Sequence, residues 1–104
     1  MAKQTPPTFP AGRRQLEALG ERLRAARLRR RLTQAVVAVR VGVCKQTLAK
    51  LEAGNPSTSL ATMLRVLQVL GLGKDVDQLA ADDELGRKLQ DMAQPAPPRG
   101  RSAG

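Results

Sequence analysis

Gly42 stands between two segments, Gln34–Val41 and Lys45–Glu52, each with room for only about two turns of helix. Helices that short do not hold together alone in water, so the chain has to pack them on other helices. A glycine can take the left-handed backbone that ends the first segment without steric cost, and Val43 then leads directly into the second. Thr33 is a favoured N-cap residue for the first segment, and Gly54 closes the second. Short helix, glycine turn and short helix therefore predict a helical bundle with a tight interior turn.

The flanking sequence supplies the rest of that bundle. Over residues 13–32, Leu16, Leu19, Leu23 and Ala26 recur at helical spacing, with Arg22, Arg24, Arg29, Arg30 and Arg31 elsewhere, which reads as an amphipathic first helix. Asn55 and Pro56 make a turn, and Ser59 caps a fourth helix over residues 60–70, with Leu60, Met63, Leu64, Leu67 and Leu70 as its apolar face and Gly71 as its stop. A weaker fifth helix follows, with Asp75 as cap and Val76 and Leu79 as its buried residues. A short sixth helical segment over residues 84–92 carries only Leu85, Leu89 and Met92, too little to be stable without a partner. Neither a strand signal nor an internal repeat is visible. The expectation is an all-α, five-helix bundle over residues 13–81, with residues 82–93 as a short helical extension serving as dimer or partner surface. Residues 1–12, with Pro6, Pro7 and Pro10, read as a disordered arm, and residues 94–104 as a disordered, basic, Pro-rich tail.

Composition narrows the function. The 104 residues carry a formal charge of +9 and an isoelectric point near 11.3, which points to an anionic partner. No apolar run is long enough to span a membrane, and no signal-peptide core is present, so nucleic acid is favoured over a membrane surface. With no His, no Trp, no Tyr and the single cysteine Cys44, the usual zinc sites and Ser-His or Cys-His nucleophiles cannot be built, so neither an enzyme, a metal nor a cofactor is expected. Phe9 is the only aromatic residue, which removes the stacking platforms that hold single strands and leaves duplex DNA. A lone cysteine cannot close an internal disulfide, and the cytoplasm, with the nucleoid, is the default location. Charge is also segregated: Asp75, Asp77, Asp82, Asp83, Glu84 and Asp91 crowd a stretch that should face away from phosphates, while Arg99 and Arg101 return positive charge to the tail.

The third helix sharpens this reading. At about 100 degrees per residue, Lys45, Gln46, Ala49 and Lys50 share one face, and Leu48 and Leu51 lie opposite. Lys donates to guanine O6 and N7, Gln pairs with adenine N6 and N7, and Ala fits a thymine methyl. The plainer reading of the same face is a solvated polar surface.

In the runs LTQAVVAVRVGVCKQTLAKLEAG and SLATMLRVLQVLGL, the chain resembles the Xre, Cro and phage-repressor family of helix-turn-helix proteins. The positions that agree together are Leu32-Thr33-Gln34, Ala38, Gly42-Val43, Leu48, Leu51, Glu52 with Gly54, and Leu70-Gly71, within residues 16–72. The resemblance implies that Lys45, Gln46 and Lys50 face bases and that Gln34 bonds a phosphate at the start of helix two, where capping of its own helix is the alternative. Thr33, Thr47 and Asn55 join Gln34 as candidate phosphate contacts. Arg27 and Glu52 are implied to form a partly buried bridge between helix one and the recognition helix. Three positions depart from the pattern: Cys44 replaces a Ser or Thr cap, and Ala35 and Val36 replace a polar pair. Cys44 reads as a cap substitute ahead of a redox sensor.

These residues lead to one expectation, a sequence-specific repressor of transcription that binds duplex DNA as a homodimer. Two recognition helices about 34 to 36 Å apart imply a near-palindromic operator. Within the family the chain looks similar to HipB-like proteins, which implies an antitoxin and autorepressor partnered by a kinase-like toxin. Two alternatives remain open at this point: a protein-interaction module in which DNA binding is secondary, and a nonspecific architectural DNA binder.

Overall fold

In the computed structural model, which describes residues 9–93, all regular structure among the described residues is helical. The order is α1 (Pro10–Arg29), α2 (Gln34–Val41), α3 (Lys45–Glu52), α4 (Leu60–Val69), a 3-10 helix (Gly73–Gln78) and α5 (Glu84–Ala93). The all-α bundle is thus the observed fold. Residues 1–8 and 94–104 of the expected arm and tail lie outside the described residues.

Local chemistry sets most boundaries. Pro10 occupies the first turn of α1, where its fixed φ suits a helix and its missing N–H costs nothing. Residues 10–12, read from their composition as part of the arm, are therefore helical. The other end of α1 stops at Arg29, three residues short of the expected limit, because Arg31 turns left-handed at φ 55. The Leu32 N–H then reaches back to the Arg27 carbonyl at 3.2 Å, and the Arg31 N–H to the Leu28 carbonyl at 2.9 Å. An L-residue in this conformation is strained by roughly 1–2 kcal/mol. Arg31→Gly is accordingly expected to stabilise the fold by about 1 kcal/mol in urea denaturation, whereas Arg31→Ala, which removes the same charge but keeps the strain, should bring no such gain.

Ten side chains form the core: Leu23 and Ala26 of α1, Val37, Ala38 and Val41 of α2, Leu48 and Leu51 of α3, and Val66, Leu67 and Leu70 at α4. The apolar face expected for α4 needs correction. Thr62, Val66 and Leu67 are its buried residues, Met63 and Leu64 are half-buried, and Leu60 is 70% exposed. Leucine occurs on more than one side of α4, and only packing against α2 selects which side turns inward. The expected fifth helix is a six-residue 3-10 helix in which Asp75 lies inside the first turn and caps nothing. Val76 packs against the core, but the tight helix ends before Leu79, which is extended and exposed.

Two glycines bring α1 against the end of α3. Gly20 is buried, and a Cβ there would lie 2.8 Å from the Leu51 carbonyl oxygen. Gly54, left-handed at φ 82, lies so close to α1 that its Cβ would be 2.7 Å from Glu17 Cα. This contact seats the end of α3 against α1.

Candidate nucleic-acid interface

Thr33 caps α2 by accepting the Val36 N–H on its hydroxyl at 3.1 Å. Gly42 ends α2 at φ 89, with the Gly42 and Val43 N–H groups both bonded to the Ala38 carbonyl at 2.8 and 3.0 Å. A Cβ on Gly42 would touch nothing within 4 Å, so glycine is required there by backbone conformation alone.

Beyond the turn, Cys44 takes the N-cap position of α3 without bonding a backbone N–H through a cap, and its Sγ sits 3.2 Å from the Thr47 hydroxyl. Hydrogen bonding by the Thr47 side chain holds the exposed Cys44 thiol below its ordinary pKa. Leu48 is completely buried and Leu51 nearly so, which anchors one side of α3. Lys45, Gln46 and Lys50 are exposed, and Ala49 and Thr47 are half-buried. None of the Lys45, Gln46 and Lys50 side chains has a hydrogen-bond partner among the described residues. The outer face thus presents two ammonium groups and an amide around a small side chain, a set that can donate to guanine and pair with adenine.

A buried network holds this helix in place. The Arg27 guanidinium donates from Nε to Glu52 Oε2 at 2.7 Å and from Nη2 to Glu52 Oε1 at 3.1 Å. Its Nη1 donates to the Leu32 carbonyl at 2.8 Å. The two charged side chains are only 8% and 5% exposed. The third member is not foreseeable from local sequence: Gln34 donates from Nε2 to Glu52 Oε1 at 3.0 Å. The Gln34 amide therefore braces α2 against α3, instead of capping its own helix.

Thr33, Gln34 and Lys45 come together in one groove, which Arg31 and Ala35 also line. Leu28 and Leu32 add apolar surface to it, and Arg31 and Lys45 give it the positive charge that suits an anion. Asn55 is not brought into it. It lies past the end of α3, lines a separate apolar groove with Leu51 and Pro56, and accepts from the Ser57 N–H and hydroxyl at 2.8 and 2.6 Å. Of the arginines at the end of α1, Arg30 is occupied with the Ala26 carbonyl at 2.8 Å. The residue missed by sequence reasoning is Gly20, whose place inside an amphipathic helix was its one available signal; the left-handed backbone at Arg31 had none.

A two-turn helix, a left-handed glycine turn and a second two-turn helix with an unoccupied donor face define a DNA-binding domain of the helix-turn-helix class. The sequence profile described as a helix-turn-helix domain matches residues 18–81, more than half of the chain, and the chain belongs to that family. No curated protein and no solved structure gives a match. Among the described residues no helix is long and apolar enough to cross a membrane, and no group of three acidic or cysteine side chains is placed to hold a metal ion.

Proposed function

We propose that the protein is a transcriptional repressor that binds duplex DNA sequence-specifically as a homodimer, with α3 in the major groove. The observation that carries this reading is the outer face of α3, where Lys45, Gln46 and Lys50 are exposed around Ala49 while Leu48 and Leu51 fix the helix from behind. Lys45, Gln46 and Lys50 read base edges, and Ala49 leaves room for a thymine methyl. Thr33, Gln34 and Thr47 contact phosphate on the approach to α3, and Asn55 does so at its far end. Lys45→Glu combined with Lys50→Glu is expected to weaken retention on a selected duplex by at least about a hundredfold without changing the melting temperature of the fold. Unchanged affinity in that variant would move DNA binding off α3.

One recognition helix reads few base pairs, so the repressor acts as a two-fold dimer on a near-palindromic operator. Support for the dimer surface comes from α5, which buries none of its residues. Leu85, Leu89 and Met92 follow one another at helical spacing on it and are 68%, 54% and 81% exposed. The helix is well specified at its start, where Asp83 accepts the Gly86 N–H at 2.9 Å, yet ten residues are too few for a stable isolated helix. A second copy packed along this stripe supplies what α5 lacks. Leu85→Asp with Leu89→Asp is expected to leave only monomer in sedimentation at tens of micromolar, under conditions where the unmodified chain sediments as a dimer; a monomeric unmodified chain, with and without DNA, would refute the arrangement.

A second reading gives the same stripe to a kinase-like toxin, making the protein an antitoxin that represses its own operon. It is favoured by one observation, that α5 lies beyond the matched residues 18–81 and is not needed to build the DNA-binding unit. Co-expression with a neighbouring kinase-like protein should then give a complex that the Leu85 and Leu89 changes abolish.

A further inference from the structure

The carboxylate that pairs with Arg27 also holds the Gln34 side chain. Glu52 accepts through both oxygens, and Oε1 is shared between Arg27 Nη2 at 3.1 Å and Gln34 Nε2 at 3.0 Å. An ionised carboxylate only accepts hydrogen bonds, so it fixes which end of the Gln34 amide turns inward: the nitrogen. That nitrogen carries two hydrogens about 120 degrees apart in the amide plane. Glu52 takes one. The other has no partner among the described residues, on a half-buried side chain at the start of α2, in the groove that Arg31, Thr33 and Lys45 also line.

We infer that Glu52 is a positioning residue for DNA binding. By holding one hydrogen of Gln34, it aims the second at a backbone phosphate, so that the phosphate contact at the start of α2 and the seat of the recognition helix are set by one carboxylate. Glu52 belongs to α3 itself. A phosphate bound to Gln34 therefore fixes α3 in the groove through two successive hydrogen bonds, and a shift of α3 withdraws the donor from the phosphate. Arg27 holds the carboxylate in place through Nε and Nη2 while its Nη1 grips the Leu32 carbonyl, one residue before the cap of α2. This inference rests on the DNA-binding reading proposed above.

The test is a double-mutant cycle in DNA affinity on the full chain, using a labelled duplex recovered from a random pool at about 150 mM salt. Gln34→Met, which keeps length and removes the amide, is expected to weaken binding about tenfold, the size of one hydrogen bond to a charged group. Glu52→Asp keeps a charge for Arg27 but withdraws the carboxylate from Gln34, and should weaken binding by a similar factor. The double variant should bind at least about threefold more tightly than the product of the two single penalties predicts, because the part of each penalty that runs through the Glu52–Gln34 bond is lost only once. Multiplying penalties would show that Glu52 acts on binding without Gln34, and would overturn the inference while leaving the DNA-binding reading intact. Should Glu52→Asp fail to fold, the Arg27→Met, Glu52→Leu chain, in which an apolar pair replaces the bridge and Gln34 loses its carboxylate, takes its place, with duplexes carrying a single neutral methylphosphonate as the readout. One substituted phosphate should weaken binding of the unmodified chain, but not of Gln34→Met and not of the chain without the carboxylate; a carboxylate-free chain that stays sensitive at that phosphate would overturn the inference. A chain that binds no duplex at all removes both readings together.

Discussion

Gly20→Ala is expected to destabilise the protein by about 3 kcal/mol, the upper end of what an overpacked site costs, although the same exchange in an open helix would stabilise it by about 1 kcal/mol. The sign reverses because of what lies opposite. The added methyl would sit 2.8 Å from both the Leu51 carbonyl oxygen and the Glu52 carbonyl carbon. Those atoms are backbone, so no rotamer change can make room, and the end of α3 has to move away from α1. For a domain of this size each kcal/mol is worth roughly 4–8 °C, which places the loss of melting temperature at about 12–24 °C. Thermal unfolding followed by far-ultraviolet circular dichroism decides it, and a variant that melts at or above the parent would mean that α1 and α3 are not in this contact. Because the displaced element is α3, the proposed recognition helix, DNA affinity should fall further than instability alone explains.

Glu52→Ala should cost about 3–5 kcal/mol, the usual penalty for removing one partner of a buried ion pair. It leaves the Arg27 guanidinium buried with its charge uncompensated, holding only the Leu32 carbonyl, and it strips Gln34 of its one protein partner. The cause is the unpaired charge and not the loss of the bridge as such. Arg27→Met combined with Glu52→Leu should therefore recover most of the loss, since an apolar pair of similar volume carries no desolvation penalty. Urea denaturation of the two variants separates these cases. A single variant that loses less than about 1 kcal/mol would place the pair among exposed bridges, contrary to its burial.

Much of the fold was legible because helix ends are local chemistry. Thr33 accepts from Val36 and Ser59 accepts from Thr62, and a short polar side chain three residues ahead of an N–H is visible in sequence. Gly42 was legible for the same reason. Proline misled at Pro10, where composition suggested an arm, though the same residue is well suited to begin a helix. Burial was less legible, since Leu60 and Leu79 are as apolar as their buried neighbours and only the packing of α4 and the shortness of the 3-10 helix leave them outside. Least legible were the contacts between distant residues. Gly20 meets the end of α3, and Gln34 meets Glu52 eighteen positions away. Neither partner is marked in the other's local sequence. The donor face of α3 was readable as a pattern, because alternation with Leu48 and Leu51 separates inside from outside within two turns, but the pattern alone does not say what that face binds.

In the proposed function, α3 reads duplex DNA in a sequence-specific, two-fold manner. Its most direct test is selection of bound duplexes from a random pool by the purified full chain at about 150 mM salt, which suppresses purely electrostatic binding, with the Lys45→Glu, Lys50→Glu variant selected in parallel. Enrichment of a two-fold symmetric motif with half-sites about one helical turn apart, absent from the variant's pool, is the predicted result; no enrichment, or the same motif recovered by both proteins, would contradict it.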